Sequence, residues 1–223
     1  MKPFDHSSAV LAKEFPLFVS KEGLPWQQRK SSLTREAILE SAIDVLFDGG
    51  YAALSTNEVA RRARLSRGAM HHHFASRTEL VLSLTEYVFY KRMRYFLDDY
   101  LSQVRESDEG DWLAIAEELH WQSVKGREYT AYLHLAVAAR SDSELAAVFD
   151  PAQRHFQEIW HREMRKAFSN WGERADKLRI ASEFAEAVHI GTLLKLPATE
   201  SHERSAALRA MLLKTLRDLY GSG

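Results

Sequence analysis

Cysteine is absent from the 223-residue chain, which excludes a disulfide framework and every thiolate metal site and fits a reducing compartment. Proline and glycine are scarce, at 5 and 10 residues, too few for a low-complexity or collagen-like chain. No stretch approaches the roughly 18 apolar residues of a membrane span, and no charged N-terminal region precedes a long apolar core. A cytoplasmic location is therefore expected. Alternating Val/Ile/Thr runs bounded by turn residues are also missing, so strands are not expected. The formal net charge of -1 excludes a histone-like basic coat.

What the chain does have is apolar residues, 45% of the total, recurring at helical spacing almost everywhere after Leu33. The expected fold is all-α, and the length allows a small head and a larger body. Residues 1–32 hold Pro3, Pro16, Gly23 and Pro25 without a sustained period and read as a flexible arm with at most a short helical turn. The run "TREAILESAIDVLFDGG" places Ile38, Leu39, Ala42, Val45 and Leu46 on one stripe, with Gly49-Gly50 as its stop. Ser55 with Glu58, and Ser76 with Glu79, have capping-box spacing, and Ser66 can cap the short helix between them. A long helix is expected from Ser76 to about Val104. Further helices are expected over 111–125, 127–140, 142–170 with a break at Pro151, 174–195 and 202–220.

The segment from Leu54 to Arg77 carries Arg61, Arg62, Arg64, Arg67 and Arg77 against the single acid Glu58. A local excess of positive charge on two short helices joined by a tight turn suits a polyanion and has the geometry that puts a second helix into the DNA major groove. Within that second helix Met70 and Phe74 would point inward, leaving Gly68 and His72 outward with Ala69 and His71 on the flanks. The run His71-His72-His73 does not suit a metal, because two histidines clamp one ion from a helix best at i, i+4 spacing. Consecutive side chains splay apart, so no metal and no cofactor are expected.

The stretch "STNEVARRARLSRGAMHHHFASRTEL" resembles the DNA-binding head of the tetracycline-repressor (TetR) family of bacterial regulators. Val59-Ala60 match that family's "IA", Gly68-Ala69-Met70 its "G-T-L", His71-His72-His73-Phe74 its "Y-H-Y-F", and Arg77 a lysine. Arg64 stands where the family's turn usually has glycine, Ala69 replaces a common threonine, and His71 and His73 replace tyrosines. The resemblance implies a helix-turn-helix head over residues 33–80, after the arm 1–32, and an effector-binding and dimerisation domain over 81–221. It implies that Ser55 and Thr56 touch phosphate, that Asn57, Arg67, Ala69, His71 and His72 face the groove beside the cap Ser66, and that His73 and Arg77 hold the DNA backbone. His73, nearest that backbone, is expected to gain most from protonation on DNA. Arg67 suits bidentate contact to guanine or a phosphate contact.

Beyond residue 105 the resemblance is one of general character. It implies a homodimer through the last two helices, where Ile180, Phe184, Ala187, Val188, Gly191 and Leu194 form one stripe and Leu208, Leu212, Thr215 and Leu219 another. It also implies a small-molecule effector, apolar or aromatic, among Trp121, Tyr129, Tyr132, Phe149, Phe156 and Trp160. Rings at this spacing also make ordinary cores. No glycine-rich phosphate loop and no nucleophile–base pair are visible, so an enzyme is not expected. The expected function is a ligand-responsive transcriptional regulator, a repressor on a palindromic operator. Alternatives are an activator or effector-independent regulator, a histidine-dependent metal enzyme, and a helical protein whose basic head meets an acidic partner.

Overall fold

The computed structural model describes residues 3–18, 25–106, 112–167, 175–195 and 201–221, and all regular structure among them is helical. In chain order the elements are α1 (Pro3–Glu14), α2 (Trp26–Ala53), α3 (Thr56–Arg62), α4 (Arg67–His73) and α5 (Arg77–Tyr95). A π-helical turn, Phe96–Tyr100, leads into α6 (Leu101–Glu106). Then come α7 (Trp112–Val124), α8 (Arg127–Ala139), α9 (Ser143–Ala167), α10 (Ala175–Lys195) and α11 (Ser201–Gly221). The expected helix ends at 111, 168–170 and 174 lie outside the described residues. The chain forms two compact units, residues 1–95 with 127–157 and residues 96–126 with 158–223.

The first unit is built on the apolar stripe of α2. Ile38, Leu39, Ala42, Ile43, Val45 and Leu46 are buried, and α8 and α5 pack against this helix. At about 25 cal/mol per Å² of apolar area removed from water, such a stripe supplies the stabilisation that helix propensity alone does not. The helix turns at Gly50, whose φ of 69° is left-handed and whose missing Cβ would lie 3.1 Å from the His134 ring. A side chain there would meet both strain and a clash.

Charge pins the same helices. Arg127, the first residue of α8, donates to Asp44 at 2.5 Å and also pairs with Glu40. Glu40 further accepts from Tyr87 Oη at 2.6 Å and Lys91 Nζ at 2.9 Å. Burial alone would raise the Glu40 carboxyl, but these donors hold it below its ordinary value.

Two expectations differ from the structure here. Residues 3–14 and 26–32, read as parts of a flexible arm, form α1 and the start of α2; α1 packs on α5 and buries Val10, Leu11 and Ser7. Phe15 and Phe18, just after it, lie 5.9 and 5.3 Å from the Tyr90 ring. The helix has too few apolar residues to show a period, and its order comes from those tertiary contacts. Likewise α9 runs unbroken through Pro151. The missing N–H and the ring clash cost about 3 kcal/mol in a helix interior, and buried Leu145 and Phe149 hold this stretch in place.

In the second unit, Ala181 of α10 and Leu212 and Leu216 of α11 form a core joined by Leu113, Ala185, Val188 and Leu219. A polar network ties α7 to this pair. Arg209 chelates Glu117 through Nε at 2.6 Å and Nη2 at 2.7 Å. His189, fully buried, places Nε2 2.9 Å from Glu117 Oε1 and Nδ1 2.8 Å from His120 Nδ1. The carboxylate accepts, so His189 Nε2 carries a proton, and one of the facing Nδ1 atoms donates to the other. Burial would raise the Glu117 carboxyl, yet hydrogen bonds from Arg209 and His189 bring it down to about 2. Among the described residues no helix is long and apolar enough to cross a membrane.

Candidate DNA interface

Local sequence chemistry sets the two short helices. Ser55 caps α3, accepting from the Glu58 N–H at 3.2 Å, and Ser66 caps α4, accepting from the Ala69 N–H at 3.1 Å. The Glu58 carboxylate turns away from the cap to Arg61 at 2.6 Å and Arg62 at 3.0 Å. Those hydrogen bonds hold its carboxyl down at about 2. At the start of α5 Ser76 accepts from the Glu79 N–H at 3.1 Å, and Glu79 accepts from the Ala75 N–H at 2.9 Å.

Arg64 ends the turn between α3 and α4 with φ of 55°, the one left-handed non-glycine among the described residues. The Cβ strain of that conformation is of order 1 kcal/mol, and it lets the Leu65 N–H reach the Ala60 carbonyl at 2.9 Å.

The inward face of α4 is Met70, with Phe74 just past its end, 1% and 0% exposed. On the other side Arg67, Gly68, His71 and His72 are exposed and Ala69 is partly so. A Cβ at Gly68 would meet nothing of this protein nearer than Ser66 Oγ at 4.0 Å. Internal packing therefore does not demand glycine there, and the bare backbone is available to a partner.

Asn57 is exposed at the start of α3, beside partly buried Ser55 and Thr56. Of the five arginines, Arg61 and Arg62 pair with acids of the head, Arg62 also meeting Asp48. Among the described residues, the side chains of Arg64 and Arg67 make no ion pair or hydrogen bond. These two are the cations left for an external anion.

Two candidate residues serve the head itself. Arg77 donates from Nε to the Leu54 carbonyl at 2.8 Å and lies 4.7 Å from the Tyr51 ring, so its guanidinium closes the end of α2. His73 is partly buried. Burial, then the charges of His72 and Arg35, push its imidazole below the ordinary 6.5 in the free head.

Sequence reasoning missed Arg35, which donates to the His73 carbonyl at 2.9 Å and to Ser83 Oγ at 2.6 Å and lies 4.1 Å from the Phe74 ring. No local pattern marks it, since its partners are 38 and 48 residues away. Among the described residues no three His, Asp or Glu side chains converge as metal ligands would.

Of the six candidate effector residues, four belong to the first unit and two to the second. Tyr129, Tyr132, Phe149 and Phe156 surround Phe89 and Arg92 in the first unit. Trp121 packs on His189 and Arg209, and Trp160 on Phe96, in the second.

A capped three-helix head with a tight turn, an apolar inner face and a bare, cationic outer face on its last helix is a helix-turn-helix domain. Residues 38–84 match the family model for bacterial regulatory proteins of the tetR family. It is 33% identical over 63 residues to the HTH-type transcriptional regulator CymR of Pseudomonas putida, 28% of this chain and 31% of that one. The chain thus spans less than two thirds of the length of the curated relatives it matches. A transcriptional regulator from Rhodococcus sp. Rha1 shares the fold, with a TM-score of 0.62 at 20% identity over 82% of this chain and 96% of that one. So does the multidrug binding protein EbrR complexed with proflavin, with a TM-score of 0.52 at 16% identity over 83% of this chain and 99% of the other.

Proposed function

We propose that this protein is a homodimeric, ligand-responsive transcriptional regulator of the cytoplasm, a repressor that binds a palindromic operator and leaves it when a small molecule binds. The observation that carries this reading is α4, which buries Met70 and Phe74 and exposes Arg67, Gly68, His71 and His72. Arg67, Ala69, His71, His72 and Asn57 read base edges beside the Ser66 cap. Ser55 and Thr56 meet phosphate at the start of α3. Arg64 adds a phosphate contact, and His73 and Arg77 act on the DNA by holding α4 and α2 in place.

Pairing through α10 and α11 is supported by what these helices leave uncovered. Ile180, Phe184, Ala187 and Leu194 are exposed along one line of α10, and Leu208 and Met211 along α11. Val188, Leu212 and Leu219 instead serve the protomer's own core. An apolar stripe of this size is the kind a soluble protomer covers with a second copy. For the effector, Tyr129, Tyr132, Phe149 and Phe156 with Phe89 and Arg92 are the favoured site, and a protein of similar fold complexed with proflavin supports small-molecule binding.

The test is selection from a random duplex pool with the full chain. The expected result is a two-fold-symmetric site with half-sites about one helical turn, roughly 34 Å, apart. Recovery of no enriched sequence, or of binding to any duplex alike, overturns the reading.

A further inference from the structure

The Arg92 guanidinium lies inside a box of ring faces. Its carbon is 3.7 Å from the Tyr132 ring centroid, 4.6 Å from Tyr129, 4.7 Å from Phe156 and 5.9 Å from Phe89. The rings brace one another: Tyr132 stacks on Phe149 at 5.7 Å and meets Tyr129 edge-on at 5.3 Å, while Phe89 lies 5.9 Å from both Tyr132 and Phe156. Tyr129, Tyr132, Phe149 and Phe89 are buried, whereas Arg92 and Phe156 are partly exposed, so the box reaches the surface on their side. Four rings from α5, α8 and α9 thus lie within 6 Å of one positive group, with Phe149 behind Tyr132. Aromatic faces carry negative quadrupole potential, and a cage of them recognises cations of diffuse charge.

We propose that this box is a receptor for a small organic cation, of guanidinium to trimethylammonium size, and that Arg92 is its built-in occupant, which the ligand displaces. The inference rests on the reading of these rings as the effector site and names the ligand's chemistry. A neutral ligand in the same place would forfeit the attraction that now holds the guanidinium. An anion would face the same ring potential with the opposite sign. Displacement is feasible because Arg92 hangs on a flexible stem whose head can move to the surface. The side chain competes from within the same molecule, so it sets an effective concentration that the ligand must exceed. The apparent affinity of the parent protein is lowered by the fraction of time the box is vacant.

The experiment uses three probes of one branched shape and different charge: tetramethylammonium, tert-butanol and pivalate. Each is titrated calorimetrically, at matched ionic strength, into the full chain and into Arg92→Met, which keeps the apolar stem and removes the charge. Arg92→Met is expected to bind tetramethylammonium at least ~10-fold more tightly than the parent, as follows when the box is vacant less than about a tenth of the time. It should prefer that probe to the other two, and Tyr132→Leu in the same background should abolish the binding. Equal affinity in parent and variant overturns the proposal. So does equal binding of tert-butanol, or pivalate bound by the parent and lost in Arg92→Met, which would make Arg92 an anion anchor. Should Arg92→Met fail to fold by circular dichroism, Arg92→Lys replaces it, with tighter tetramethylammonium binding than the parent expected and unchanged binding overturning the idea. Operator affinity measured on the same samples separates the two readings. Tetramethylammonium bound without effect on the operator keeps the ligand class and removes the regulatory role. Release by a neutral or anionic compound, with no tetramethylammonium binding in any variant, keeps ligand response and overturns the cation box.

Discussion

Arg35 on α2 donates from Nη1 to the main-chain carbonyl of His73, the last residue of α4, at 2.9 Å. The same side chain lies over the Phe74 ring and reaches Ser83 on α5, so one guanidinium ties the end of α4 to two longer helices. Arg35→Met should lower stability by about 2 kcal/mol, the scale of a charged hydrogen bond with an exposed cation–π contact. Operator affinity should fall as well, because α4 loses its anchor. Urea denaturation and duplex titration at a denaturant-free, fully folded condition read the two effects apart. Unchanged operator affinity would mean that the burial of Met70 and Phe74 alone sets the angle of α4.

Arg67, exposed at the start of α4 and without an ion pair among the described residues, is the head's best candidate for base contact. Arg67→Ala should weaken specific binding by about 1–3 kcal/mol and relax preference at one base position. Selection on the variant, compared with the parent, checks it. A uniform loss over all sequences would make Arg67 a phosphate anchor instead.

Arg64 occupies left-handed backbone with φ of 55°. Arg64→Gly removes the Cβ strain but frees the unfolded chain, so a net gain of about 0.5–1 kcal/mol is expected from thermal unfolding. If Arg64 also meets phosphate, the same variant binds DNA more weakly and the salt slope of log K falls by about one. A destabilised protein would show that the turn depends on contacts of the arginine side chain.

His73 links the head to pH. Burial, with the charges of His72 and Arg35, lowers its imidazole below 6.5 in the folded protein. Below about pH 6.5 the unfolded chain therefore binds more protons than the folded one at this site, so stability rises with pH through that window and is lost as pH falls through the folded value. His73→Phe should flatten the dependence below about pH 6.5. Its operator affinity should keep the parent's pH profile if His73 only packs within the head and does not meet the DNA. An altered profile would place a proton on His73 in the complex.

Gly191 lies on the exposed line of α10, and a Cβ there would meet nothing within 4 Å. Gly191→Arg should thus leave the protomer's fold intact while placing a charge in a paired interface. Sedimentation should give a protomer mass, and operator affinity should drop by several orders of magnitude when two half-sites no longer bind together. An unchanged mass would place the interface elsewhere.

Much of this protein was legible in its sequence because the rules involved are short-range. The three serine caps, the inner pair Met70 and Phe74, the stripe of α2 and the outward placement of His71 and His72 follow from helical periodicity and from a hydroxyl three residues before an N–H. The identity of the head as a helix-turn-helix rests on those same local features. Tertiary structure alone decided how charge is spent. Arg77 turns to the Leu54 carbonyl, Arg62 to Asp48, and Arg209 to Glu117, 92 residues earlier in the chain. It also decided that α1 is a helix, that α9 continues through Pro151, and that the apolar stripes of α10 and α11 divide between the protomer's own core and an uncovered face. A long side chain can satisfy its charge on any partner the fold brings within about 3 Å, and an apolar residue can be buried by any neighbouring helix. Spacing along the chain specifies which face a residue occupies; the assembled helices specify what that face meets.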